Sequence, residues 1–551
     1  MSTTTSAGSI STGIPATGRT LLGDITAPTI WGDGTLQYYL GNNTTLGFDG
    51  EFATAYNGLY SGLPDVNFAF TNQTVQAFRM FDAVITTDFT RVTNATTAQT
   101  TADLVLVTSD TSTLAGLEGF NQFPGSSTRG ANDSWSIGVF TSNLGVLTAA
   151  PEQGGGEYLN WTLLHEIGHS MGLLHPHQEV AGTPALVSVG ADLNNERYTV
   201  MSYQGSASAS TYGHAVSLMA LDIAALQELY GAESYAATGS TYTLFDRMSA
   251  DLQLTEGNVH IGRAYYSIWD SAGVDTINYG SSANSVMINL NAATLDRSAV
   301  ASDAAPAVTA AQHTAFFGNL SATLQDEMID PNNNAGGFFS RVLLQSGSTY
   351  NGEDGGFTIA NGAVIENATG GAQEDLLIGN EVNNTLTGQA GNDVLIGSRG
   401  NDSLDGGTGD DTAGFSGARS EYTITNTGGS GYTIAHTGGT GVDGTDTLTN
   451  VEHAQFSDQL IDLSAGPSVA LISGLGGVAG FGENILGRND DGSSAEVDIS
   501  AVFGGDGINF FGRMFTSLWV NNNGGVTFNG PRSTFTPTVF TENSGNPNIS
   551  P

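Results

Sequence analysis

The chain has 551 residues, with 54 acidic side chains against 14 basic ones and a net charge of −40. Such a surface repels nucleic acid and anionic membranes and attracts divalent cations, although plain solubility or a saline habitat would account for the same charge. Cysteine is absent. Disulfides and a cysteine-based latency switch are therefore excluded, and bound metal becomes the candidate staple for a chain with 75 glycines.

The length suits about three domains. Residues 1–24 read as a flexible Ser/Thr/Gly leader or propeptide, with neither the basic start nor the apolar core of a standard signal peptide. From Gln37 to Gly231 the pattern mixes strands and helices. The run Leu104-Val105-Leu106-Val107 reads as a buried strand, and helices are expected at 53–59, 74–81, 157–171 and 220–230, the last closed by Gly231. After Ala232 the helical signal fades into strand-like segments separated by Gly, Asn and Asp. Residues 299–355 read as an inserted loop with a short helix near 310–324.

From Gly370 the chain divides into the nonapeptides GGAQEDLLI, GNEVNNTLT, GQAGNDVLI, GSRGNDSLD and GGTGDDTAG. Their sixth positions are Asp375, Asn384, Asp393, Asp402 and Asp411. Composition shifts again near 465. The apolar stretch 463–482 holds six glycines and a proline, so it reads as a linker entering a strand and not as a membrane span.

Residues 165–175 are HEIGHSMGLLH. On a helix, His165 and His169 lie one turn apart on one face, where two imidazoles can bind one tetrahedral zinc. Glu166 can hold a water as general base. Gly172 can end the helix in the left-handed conformation and bring His175 to the same metal. Three protein ligands leave a fourth position open, which is the arrangement of a catalytic site. A histidine pair at helical spacing is by itself more often packed or exposed, but the eleven-residue pattern fixes five positions. His177, just beyond, reads as surface.

This motif resembles that of the metzincins, and Pro176 directly after the third histidine resembles the serralysin branch. Tyr198-Thr199-Val200-Met201-Ser202-Tyr203 resembles the family's Met-turn. The resemblance implies that Met201 packs beneath the metal and that Tyr203 stabilises an oxyanion. The segment 221–232, LDIAALQELYGA, is similar to the helix that closes that domain. The implied reaction is hydrolysis of internal peptide bonds, with Glu166 passing a proton from water to the leaving amine.

The repeat form G-G-x-G-x-D-x-apolar-x is that of calcium-binding parallel β-rolls. Glycine permits the tight turn and exposes carbonyls, and aspartate supplies the hard oxygen that Ca²⁺ prefers. The expected calcium residues are Asp393, Asp402 and Asp411, then Asp375. Leu377, Leu386, Leu395 and Leu404 are expected to stack as the core. The first two repeats depart from the pattern, with Gln373 and Val382 at the fourth position and Asn384 at the sixth, so few ions are expected. IWDSAGVDTINY before the repeats, and FSGARSEYTITNTGG and DGTDTLTNVEHAQF after them, also resemble serralysins. GENILGRNDDGSS and GINFFGRMFTSLWVNNNGGVTFNG resemble the start of a nidogen-like domain, which NPNISP would leave incomplete.

The expected fold is an α+β metzincin protease domain, with a twisted mixed sheet and an active-site helix, at 25–245. A calcium-binding parallel β-roll at 246–464 follows, its repeats at 370–414, and then a linker and an all-β segment at 465–551. The resemblance implies a secreted, extracellular zinc metalloendopeptidase with structural calcium, acting on protein or peptide substrates. No nucleic-acid partner and no membrane span are expected. A type I secretion apparatus is an implied partner, although the chain does not end in the apolar residues of such a signal. The competing expectation is a calcium-dependent adhesin that binds matrix or a surface target through its C-terminal segment.

Overall fold

The computed structural model describes residues 4–6, 29–32, 34–41, 68–109, 119–124, 127–128, 134–141, 155–176, 193–204, 215–244, 253–255, 258–261, 265–296, 335–338, 340–346, 349–439, 442–464, 496–499, 508–510, 513–520, 526–528 and 548–549. The expected helices at 53–59 and 310–324, and His177, lie outside these residues. The chain divides into two compact units, Met1–Gly466 and Pro467–Pro551.

The first unit begins with a six-stranded sheet. Asp88–Val92, Thr35–Gly41, Leu104–Ser109 and Ser134–Thr141 run parallel in that spatial order. Gly119–Asn121 joins antiparallel beyond them. The Leu104–Val107 run is buried on both faces, as a central parallel strand requires. Leu104 and Leu106 face one core, Val105 and Val107 the other.

Four helices are described in this part: α1 (Phe68–Asp82), α2 (Ala95–Thr101), α3 (Gly155–Ser170) and α4 (Ala220–Tyr230). Helix α3 presents Leu163, Leu164 and Ile167 to the Leu104/Leu106 face, together with Phe78 and Phe81 of α1. Ala98 of α2 packs on the opposite face. Helix α3 stops at Gly172, whose φ is +92°. The Leu173 N–H reaches back to Gly168 O and the Gly172 N–H to His169 O, the paired bonds of a Schellman ending. Two more carbonyls at this end are met by side chains: Trp31 Nε1 donates to Ser170 O and Tyr230 Oη to Met171 O, both at 2.8 Å.

After α4 the described chain is built on strands joined by turns. Two long sheets face each other. At the repeats, Asn367–Thr369, Thr385–Ala390, Ser403–Thr408 and Thr445–Thr449 are neighbours in one sheet. Val286–Asn289, Leu376–Ile378, Val394–Ile396, Thr412–Gly414 and His453–Gln455 are neighbours in the other. Successive nonapeptides therefore alternate between sheets, and one coil of the roll takes two of them. Leu377 pairs with Leu395 and Leu386 with Leu404, all four buried in one core. Within 299–355, Ser340–Ser346 and the strand Thr349–Ile359 form an antiparallel pair inside the second sheet.

In the second unit, Val497–Asp498, Ser517–Val520, Val526–Thr527 and Asn548–Ile549 form an antiparallel sheet. Ile508–Phe510 pairs with Arg513–Phe515. No described helix is long and apolar enough to cross a membrane.

Candidate metal centre

Helix α3 and its Schellman ending bring His165, His169 and His175 together. His175 Nε2 lies 3.1 Å from His165 Nε2 and 3.2 Å from His169 Nε2. The far ring nitrogens are committed elsewhere: His165 Nδ1 donates to Val200 O at 2.7 Å and His169 Nδ1 to Leu173 O at 2.8 Å. A ring that donates through Nδ1 in its neutral form carries a lone pair on Nε2. The lone pairs of His165 and His169 thus face a common point beside His175 Nε2, and such a donor set fits a zinc ion. Burial, then the neighbouring His165 and His175, pushes His169 down to about 3, so this imidazole stays neutral.

Glu166 follows the first histidine and is buried beside the strand Gly119–Asn121. Burial pushes its carboxyl up to about 8, against the Asn121 N–H that favours the charged form. A cation held by the histidines would pull it back down. Tyr203 is 57% exposed and lies over the cluster, its ring centroid 5.2 Å from that of His165 and 4.6 Å from that of His175. Burial and the Glu166 charge both raise its hydroxyl.

Met201 is fully buried under α3. A Cβ on Gly168 would come within 2.8 Å of its sulfur, so the small residue between the two helical histidines is what lets the methionine in. The turn that carries Met201 is held by Asp222 of α4. Thr199 Oγ1 donates to Asp222 Oδ1 at 2.6 Å, and the N–H groups of Val200 and Met219 donate to Oδ2 at 2.8 and 2.9 Å. Burial pushes this carboxyl up to about 6 against those three donors. Val200 O, fixed by this tie, receives both His165 Nδ1 and Trp161 Nε1. Sequence reasoning found neither Gly168 nor Asp222.

The repeat aspartates form two ladders. In one sheet the N–H of Val286 donates to Asp375 Oδ1, that of Asp375 to Asp393 Oδ1 and that of Asp393 to Asp411 Oδ1, each at 2.8 Å. In the other, Asn384 N–H donates to Asp402 Oδ1 at 2.7 Å and Asp402 N–H to Asp446 Oδ1 at 2.9 Å. Glu452 ends the first ladder by accepting from Asp411 N–H. The other carboxylate oxygens of Asp393, Asp402 and Asp411 are buried without a hydrogen-bond partner. A buried, unpaired carboxylate oxygen is costly and fits a hard cation. Burial pushes Asp393 up to about 7 and Asp411 to about 6, the mark of acids that lack a counter-charge.

Two further aspartates belong to the pattern. Asp446 lies in GVDGTDTLT, residues 441–449, and Asp275 in DSAGVDTIN, residues 270–278. Both segments hold Gly-x-Asp-x-apolar in repeat register, a signal that insertions separate from the main run. Asp275 also has a buried oxygen without a partner. The glycines explain why the first repeats depart from the pattern. A Cβ on Gly391 or Gly400 would clash with the carbonyl of Gln373 or Val382, the fourth-position residues one coil earlier. The residue offering the carbonyl can be large; the one packed on it cannot.

Two histidines on α3 and a third just past its end thus form a cluster that could hold a metal ion, and a roll of nonapeptide repeats follows it. Residues 378–413 match the RTX calcium-binding nonapeptide repeat, in four copies. The chain is 29% identical to Metalloprotease AprA of Pseudomonas entomophila over 240 residues, 42% of this chain and 39% of that protein. It is 28% identical to Metallopeptidase AprA of Pseudomonas marginalis over 279 residues, 49% and 46% of the two chains. It is 32% identical to Serralysin C of Dickeya chrysanthemi over 181 residues, 32% and 36%. The chain spans less than half the length of these relatives. It is serralysin-like and carries RTX repeats. Zinc and calcium are the metals these two features use.

Proposed function

We propose that the chain is a secreted, zinc-dependent metalloendopeptidase whose repeat roll is stabilised by calcium. The observation that carries this reading is the convergence of three imidazole Nε2 atoms, with a buried carboxylic acid and an exposed tyrosine beside them. His165, His169 and His175 would hold the zinc. When bound, zinc polarises the scissile carbonyl as a Lewis acid and makes an attacking water more acidic. Glu166 takes the proton from that water and hands it to the leaving amine. The Tyr203 hydroxyl donates to the oxygen on which negative charge develops. An extended substrate can add along Gly119–Asn121, the last described strand of the sheet, which lies against Glu166. Secretion is supported by the likeness to serralysins and by the calcium repeats.

Casein digestion, with and without a zinc chelator, tests the reading together with Glu166→Gln. The variant is expected to retain zinc by metal analysis while losing nearly all activity. Near wild-type cleavage by that variant would refute the assigned mechanism.

A further inference from the structure

The five repeat turns have two different conformations. In the turns beginning at Gly388, Gly397 and Gly406, the second residue has a positive φ: 81° at Gln389, 72° at Ser398 and 98° at Gly407. In these three, one oxygen of the sixth-position aspartate is buried and unpartnered. In the turns beginning at Gly370 and Gly379, the second residues Gly371 and Asn380 do not have positive φ. Their N–H groups instead donate to the sixth residue: Gly371 N–H to Asp375 Oδ2, and Asn380 N–H to Asn384 Oδ1 at 2.8 Å.

The first-position carbonyls of these two turns are also taken. Gly370 O accepts from Gln389 Nε2 at 2.7 Å. Gly379 O accepts from Asn291 Nδ2 at 2.8 Å and from Ser398 Oγ at 3.1 Å. Both Gln389 and Ser398 stand at the second position of their repeats, where the complete fifth repeat has Gly407 and so no side chain to donate. Within the Gly379 turn, Asn384 Nδ2 donates to Glu366 O and to Asn380 Oδ1. Asn380 Nδ2 reaches Leu290 O and Ile365 O. A calcium ion needs several oxygens free to face it. In the turns at Gly370 and Gly379 the first carbonyl and the sixth side-chain oxygen already face protein donors.

We infer that the first two turns of the five-repeat run are closed by side-chain amides and a hydroxyl in place of calcium, and that within this run cations enter only from the turn at Gly388 onward. The closed turns lie next to strands outside the main run: Asn367–Thr369 pairs with Thr276–Asn278, and Leu376–Ile378 with Val286–Asn289. They form a cation-free first coil on which the calcium turns stack. This inference rests on the calcium reading of the repeats.

Two measurements on the full chain test it. Calcium per chain is counted by elemental analysis after gel filtration in calcium buffer. Asp393→Asn is expected to lose at least one ion. The triple variant Asn380→Gly, Asn384→Asp, Ser398→Gly, which restores the second and sixth positions of that repeat and removes the hydroxyl on Gly379 O, is expected to gain one. An unchanged count in a folded triple variant overturns the inference. Hydrogen–deuterium exchange needs no variant. In excess chelator, protection is expected to fall further in peptides from 388–414 than in those from 367–387. An equal or smaller fall in 388–414 overturns it. A wild-type chain that binds no calcium at all would instead refute the calcium reading itself.

Discussion

Replacing Asp222 by asparagine tests how the metal centre is held from behind. The carboxylate is fully buried and accepts three hydrogen bonds, two of them on Oδ2 from Val200 N–H and Met219 N–H. Asparagine can keep the Thr199 bond through its single oxygen, but its NH₂ group then faces the other two N–H donors. Each buried donor left without an acceptor costs about 1–3 kcal/mol, so the loss should be about 2–6 kcal/mol. The turn should also shift and loosen Val200 O, the partner of His165 Nδ1. Losing such an outer partner typically weakens metal binding about 10–100-fold. Urea denaturation monitored by tryptophan fluorescence gives the first quantity, and competition with a chromophoric zinc chelator the second. A variant with the wild-type urea midpoint and wild-type zinc affinity would refute the idea that Asp222 supports the centre.

Tyr203→Phe should lower kcat with zinc content intact, by up to about 10²–10³-fold, the usual cost of one oxyanion donor; wild-type kcat would leave Tyr203 as a packing residue. Gly409→Ala should disrupt the roll, because its φ is +156° and a Cβ there would overlap Gly391 O. A loss of about 2 kcal/mol or more is expected by denaturation in calcium, and an unchanged midpoint would contradict the close approach. Titrating calcium into chelated protein should raise the β signal in circular dichroism, since acidic turns rich in glycine need the ion to offset chain entropy. A signal that does not change would count against the repeats as calcium sites.

The histidine cluster was legible in the sequence because its parts are local. His165 and His169 need only helical spacing, and His175 only the Gly172 turn that reverses the chain. The nine-residue period was legible for the same reason, and Leu104–Val107 announced a strand buried on both faces. What escaped notice depends on distant segments meeting. No spacing rule connects Asp222 to Thr199 and Val200, and nothing in HEIGH says that Gly168 is small to admit Met201. The period also hid the alternation of nonapeptides between two sheets, because both sheets demand the same apolar eighth residue. The repeat register at Asp275 and Asp446 was present in the letters, yet each stands alone outside the run.

The aspartate ladders give the roll a direction. Each repeat residue's N–H is met by an acid that arrives only with the next coil: Asp375 waits for Asp393, Asp393 for Asp411, and Asn384 for Asp402. The last two, Asp402 and Asp411, are met by Asp446, in the strand Thr445–Thr449, and by Glu452, just before the strand His453–Gln455. A coil is therefore complete only when its successor is in place, and the final one only when the chain has delivered residue 452. During synthesis from the N-terminus, every intermediate length would end in a coil with unmet donors, and cutting the chain just after 414 would leave two of them permanently so.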